Sequence, residues 1–523
     1  LTLSLFKVTT PGLVYICLGG FVVAFSMFSL LVKETLYINE VVLGTAFGIA
    51  IGPHGANIFD PRSWDASTTF MTREITRIVL ATGLFAIGVE LPKSYMAKHG
   101  KSLFVMVVPT MAIGWVIVAG ALFGLFPKLS FHSCLAISAC LTPTDPIICA
   151  AIVGGKYARR HVPLNLRHIL SAESAANDGL AYPFLTISIY LIVDKNKQEA
   201  VAHWVLVGWF YQVIIGIVIG AIMGLMFSHL MKFSQQRGFI DRESYLAQYL
   251  ALAIFIAGVV STIGSDDLLA AFAAGSAISW DGEFNDHTEG EAFASIIELV
   301  LNCACFMYIG AWLPFEAFNS PDVGITPWQL LILFFIILTL RRIPAILILY
   351  RWVPEIRTWR EALFSGHFGP VSLVLSAILF VVSSILKMGV GAIFISSLAL
   401  HELPTAHNPP RNEQELLAAS LEPVVAFIVL CSIIIHGLSI PFFSLGKATF
   451  SLTTIPSMSP DWTIGIQHTP TNASVSSSAT TQTTSMPKVS SRALEEQWLQ
   501  HEAGITASGD ENARTVEENL VDI

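Results

Sequence analysis

Hydrophobic positions in this chain come in long unbroken blocks. They do not form the one-sided stripes of soluble helices or the alternation of half-buried strands. About thirteen blocks approach the ~20 residues of a helical membrane crossing: 12–32, 40–58, 74–91, 102–126, 132–153, 165–193, 203–231, 244–262, 265–281, 292–315, 327–350, 361–386 and 421–446. Blocks of this length predict helices, which satisfy their own backbone in lipid. The expected fold is an all-α polytopic membrane protein. Polar positions between the blocks give an orientation. Lys93, Lys98 and Lys101 follow the third block, and Lys156, Arg159, Arg160 and Arg167 follow the fifth. Lys232, Arg237 and Arg242 follow the seventh, and Arg351, Arg357 and Arg360 follow the eleventh. All fall on one face, which the positive-inside rule makes cytoplasmic, together with the C-terminus. Thirteen spans put the N-terminus outside, and twelve would put it inside. The acidic loop 281–291 falls on the cytoplasmic face against this trend.

Two blocks are interrupted. The fifth contains Thr142-Pro-Thr-Asp-Pro146, whose prolines remove backbone donors. The twelfth contains Gly366-His-Phe-Gly-Pro370. Seven positions separate the two blocks, so they cross in opposite directions. Spans four to six then match spans eleven to thirteen as an inverted repeat, with broken helix ends meeting near the midplane. Charge sits inside the same blocks. Asp145 lies between the two prolines, and Asp178 lies in the sixth block within Leu170-Ser-Ala-Glu-Ser-Ala-Ala-Asn-Asp-Gly-Leu180. At 1.5 Å per residue Asp178 is ~20 Å from the cytoplasmic end, near the bilayer centre. A carboxylate there costs roughly 2.5–3.5 kcal/mol on insertion scales, and such groups mark ion or proton paths. Glu173 lies about as deep as Arg341 and Arg342, so one of these arginines is expected to pair with it as a structural ion pair.

Composition agrees with the pattern. Charged residues are 13% and hydrophobic residues 54%, with a mean hydropathy of +0.65; a soluble domain carries roughly twice the charge. The net charge of −9 says little about partners, because part of it sits in a loop and the tail. Seven cysteines without paired spacing predict neither disulfides nor a zinc site. The first residues carry no cleavable-signal pattern. Residues 1–446 are the expected membrane domain. Residues 447–523, rich in Ser and Thr and then acidic, are expected to be a disordered cytoplasmic tail open to phosphorylation, where the sequon Asn472-Ala-Ser474 would go unused.

Other candidates have simpler readings. Asp266 and Asp267 open the ninth block as a helix cap, or line an outer cation vestibule. Glu90 snorkels, or lines an inner funnel. His367, in the second break, is a hydrogen-bond partner or a pH sensor. Glu298 lies in an apolar block with no assigned partner.

Thr142-Pro-Thr-Asp-Pro146 with Glu173-Ser-Ala-Ala-Asn-Asp178 resembles the cation/proton antiporter superfamily, in its Asn-Asp branch. Val89-Glu-Leu-Pro92, Ser265-Asp-Asp-Leu-Leu269, Arg341-Arg-Ile-Pro344 and Glu361-Ala-Leu-Phe-Ser-Gly-His-Phe-Gly-Pro370 resemble fungal plasma-membrane sodium/proton antiporters. The likeness covers most of residues 12–446. It implies the sodium/proton antiporter fold and a homodimer, with core spans about 102–193 and 327–446 moving against dimerisation spans about 12–91 and 244–315. It implies plasma-membrane export of sodium and lithium for protons, with potassium open, in salt tolerance and pH homeostasis. It further implies that Thr144, Asp145, Ser174, Asn177 and Asp178 hold the transported alkali cation, with no cofactor, no catalytic residue and no nucleic acid.

The residues alone dictate the same chemistry. A buried carboxylate is stabilised by a proton or by a desolvated hard cation, which prefers oxygen ligands. Competition at Asp178 then couples the two fluxes if access alternates between faces. A passive cation channel is the first rival, and pH-gradient dependence separates the two. An intramembrane aspartyl protease is the second, but neither acid sits in a Tyr-Asp or Gly-x-Gly-Asp context. His401-Glu402 and His501-Glu502 lack the second histidine of a zinc peptidase.

Overall fold

The computed structural model describes residues 9–32, 39–64, 68–146, 149, 162–194, 196–282, 293–367 and 389–450. Among them every regular element is a helix, numbered here in chain order. These are α1 (Thr10–Leu30), α2 (Glu40–Ile51), α3 (Thr68–Glu90), α4 (Tyr95–Leu125), α5 (Phe131–Cys140), α6 (Leu164–Val193), α7 (Lys197–Gln236), α8 (Arg242–Ile263) and α9 (Asp267–Ile278). They continue with α10 (Phe293–Trp312), α11 (Pro327–Leu340), α12 (Ile343–Leu349), α13 (Trp359–His367), α14 (Val390–Glu402) and α15 (Glu413–Phe450). Six of them, α12 counting as part of α11, are long and apolar enough to cross a membrane by length and composition. Shorter apolar helices stand beside these.

Local chemistry fixes many of the starts. Asn39 accepts from Val42 N, Ser130 from Ser133 N, Asp241 from Ser244 N and Asp266 from Leu269 N, each an N-cap for an otherwise orphaned donor. Thr326 and Gln329 close a capping box ahead of α11. Gly264 ends α8 at φ +82°, which a side chain would disfavour.

Several boundaries depart from the hydrophobic blocks. The block 40–58 is helical only to Ile51, and the helix of block 132–153 stops at Cys140. The block 327–350 is two helices, broken at Arg341-Arg342. The largest correction lies beyond residue 386, where the sequence leaves 387–420 outside any span. There α14 is an apolar, largely buried helix of 13 residues. A window of ~20 residues passes over a helix this short, which needs no full crossing because it packs inside the protein. Gly369, Pro370, Lys156, Arg159, Arg160, the loop 283–292 and the tail beyond 450 lie outside the described residues.

Small residues bring the helices together. A Cβ on Gly220 of α7 would stand 2.2 Å from the Ala270 carbonyl oxygen of α9, and Gly224 meets Ala274 in the same way. Such close backbone approach replaces the hydrophobic drive that lipid does not supply. The result holds α9, and the turn before it, against the middle of the bundle.

Candidate functional site

Asp178 is the fifteenth residue of the thirty-residue helix α6, so helix geometry alone places it midway along that helix. Its side chain is fully buried, and neither carboxylate oxygen has a hydrogen-bond partner among the described residues. It faces the first turn of α14, where a Cβ on Gly391 would lie 2.7 Å from Oδ1. Asp145, Asp266 and Glu173 are the acids whose fields reach it.

The break after α5 delivers the second acid. Beyond Cys140 the chain runs through Leu141, Thr142 and Pro143 without helix, and Thr144 and Asp145 are buried at its end. Val390 N, at the start of α14, donates to Asp145 Oδ2 at 2.6 Å. A helix N-terminus carries partial positive charge, so this contact favours an anion at Asp145. The first break and the start of α14 therefore meet at the two acids.

Asn177 is almost fully used. Its Oδ1 accepts from Thr144 N at 3.1 Å, and its Nδ2 donates to Thr144 Oγ1 at 2.7 Å and to Glu173 Oε1 at 3.0 Å. Ser174 Oγ donates to the Thr144 carbonyl at 2.9 Å and accepts from Thr144 Oγ1 at 3.1 Å. Through these bonds Asn177 ties the broken segment to α6. Below it Arg342 donates to both Glu173 oxygens, at 2.7 and 2.9 Å, and from Nε to the Ser365 carbonyl. Two parallel bonds of this kind are the strong form of ion pair. Arg341 does not join it; its Nη1 donates to the carbonyls of Leu141, Thr142 and Pro143.

Asp266 caps α9 and lies 3.0 Å from where a Gly179 Cβ would stand, one residue from Asp178. Asp267 pairs with Arg77 at 2.8 Å, and Arg77 donates to Glu74. Glu90 is the exposed last residue of α3, and Glu298 is half-buried on α10. His367 is the last residue of α13. Val390 and Gly391, which touch the two acids, are the contributors the sequence did not single out. The pairing of Gly389 with Gly391 around Val390 was the available signal.

The profile of the family described as "Sodium/hydrogen exchanger, transmembrane" matches residues 21–446. A probable Na(+)/H(+) antiporter of Schizosaccharomyces pombe is 42% identical over 84% of this chain and 57% of its own length. A Na(+)/H(+) antiporter of Saccharomyces cerevisiae is 41% identical over 86% and 45%. A second Schizosaccharomyces pombe Na(+)/H(+) antiporter is 35% identical over 82% and 89%. The chain thus spans about half the length of the first two. The solved sodium proton antiporter MjNhaP1 of Methanocaldococcus jannaschii superposes with a TM-score of 0.56 over 84% of this chain and 99% of that one. At 15% identity this shows a shared fold.

Proposed function

This chain belongs to the transmembrane sodium/hydrogen exchanger family, and from that premise we propose that it is a secondary antiporter exporting sodium in exchange for protons. The observation that carries the proposal is Asp178, a wholly buried carboxylate with both oxygens unpartnered among the described residues. A group in that state calls for a positive charge, and a proton and a small alkali cation are the two that fit. Whichever binds excludes the other, so one site couples two fluxes. Asp145 and the Thr144 and Ser174 oxygens supply further ligands, and Asn177 holds the segment that presents them. Lithium shares this oxygen chemistry, while the size of the site decides whether potassium is admitted. The Glu173–Arg342 pair is structural in this reading. Asp266 and Asp267 lie toward the outer face, Glu90 toward the inner one, and His367 is a candidate for pH sensing.

The proposal extends to the molecule as a multi-pass plasma-membrane homodimer with a cytoplasmic C-terminus, serving salt tolerance and pH homeostasis. Core spans 102–193 and 327–446 then move against spans 12–91 and 244–315 to alternate access. The relatives' names, all Na(+)/H(+) antiporters, support the choice of ions.

Everted vesicles with an acid interior test this. Sodium or lithium added outside should collapse the preset pH gradient, and sodium accumulation should stop when that gradient is dissipated. Sodium flux that continues without a gradient and moves no protons would establish a channel instead.

A further inference from the structure

Arg341 and Arg342 are neighbours in sequence but act on different partners, because the chain is not helical between Leu340 and Ile343. Arg342 takes the ion pair with Glu173. Arg341 is just as buried, and among the described residues no carboxylate lies within ion-pair distance of it. Its Nη1 instead meets three successive carbonyl oxygens, those of Leu141 at 2.8 Å, Thr142 at 2.7 Å and Pro143 at 3.1 Å. These oxygens follow the last residue of α5, where a continuing helix would have bonded them. Leu141 is the C-cap of α5 and the other two lie just beyond it in non-helical backbone, beside the roughly half negative charge of a helix C-terminus. The nitrogen sits among them as a metal cation sits in a carbonyl shell.

Its backbone is held independently. A Cβ on Gly114 of α4 would lie 2.5 Å from the Arg341 carbonyl oxygen and 3.3 Å from Arg341 Cγ. Only a bare backbone at position 114 lets Arg341 come this close to the break.

We infer that Arg341 is a positioning residue, a tethered cation that occupies the carbonyl end of the first broken span and fixes the next two residues, Thr144 and Asp145, at the site. The inference rests on the antiport reading for its transport consequences. It separates the two arginines: Arg342 orients Asn177 through Glu173, and Arg341 holds the segment that Asn177 grips.

The test compares reconstituted wild type with Arg341→Met, Arg341→Lys and Gly114→Ala. Arg341→Met loses the charge-assisted bonds and should raise the KM for sodium about tenfold, with maximal turnover within about twofold. Arg341→Lys should stay within about threefold of wild type, since an ammonium offers three donors to three carbonyls. Gly114→Ala, which displaces the arginine without removing its charge, should raise KM as Arg341→Met does. Amide exchange of the peptide carrying Thr144 reads the positioning without any transport assay. It should quicken in Arg341→Met and Gly114→Ala and not in Arg341→Lys. If Arg341→Met does not fold, the other two variants decide. Unchanged KM and unchanged amide exchange in Gly114→Ala, or in a folded Arg341→Met, would overturn the inference. A wild type that moves no protons on sodium addition would overturn the antiport reading, and the amide-exchange result would still decide the role of Arg341.

Discussion

Position 391 has no room for a side chain. A Cβ there would stand 2.7 Å from Asp178 Oδ1 and 2.9 Å from Oδ2, so Gly391→Ala must push the carboxylate or α14 aside. We expect transport to fall about 10- to 100-fold at unchanged abundance, the size of effect that a displacement near 1 Å can have. Wild-type turnover in Gly391→Ala would remove α14 from the site. Residues of this kind were the hardest to read in advance. Asp145, Asp178 and Glu173 stood out because a charge in lipid is costly wherever it lies. Depth counting along helices also set Glu173 level with Arg341 and Arg342, and Arg342 is the one that meets it. Gly391 carries no such signal, since its contribution is the atom it lacks. The two arginines could not be told apart either, because the break that parts their side chains is a backbone event.

Helix packing imposes its own limits. Gly220 and Gly224 of α7 allow α9 to approach until backbones touch, and this fixes where its N-cap Asp266 sits beside Gly179. Gly220→Ala places a methyl 2.2 Å from the Ala270 carbonyl oxygen. It should cost about 1–3 kcal/mol, the usual scale of overpacking. Thermal unfolding in detergent measures this, and an unchanged Tm would mean that the two helices are not in such close contact. Most elements were legible as apolar blocks, and the prolines of Thr142-Pro-Thr-Asp-Pro146 marked the first break. The helix α14 was not, for a physical reason. Hydropathy windows detect segments that cross lipid, whereas a short helix inside the protein answers to packing. The second break as read from Gly366 to Pro370 falls partly outside the described residues, and the inverted pairing of spans stands as a proposal.

At the scale of the whole molecule, the family and the shared fold agree with the all-α membrane architecture read from the blocks. Orientation, dimerisation and the moving parts were read from loop charge and resemblance, and they stand as proposals. Antiport through this site depends on a single competition. If protons and sodium share Asp178, raising the proton concentration on the loading face should raise the KM for sodium and leave maximal turnover intact. The equilibrium form of that competition is the most direct test. Purified protein in weakly buffered detergent is titrated with sodium chloride while released protons are counted, with choline chloride as the salt control. The wild type should release protons saturably with sodium, and Asp178→Asn, still folded, should release none. Equal proton release from Asp178→Asn would contradict the claim that proton and cation compete at this carboxylate.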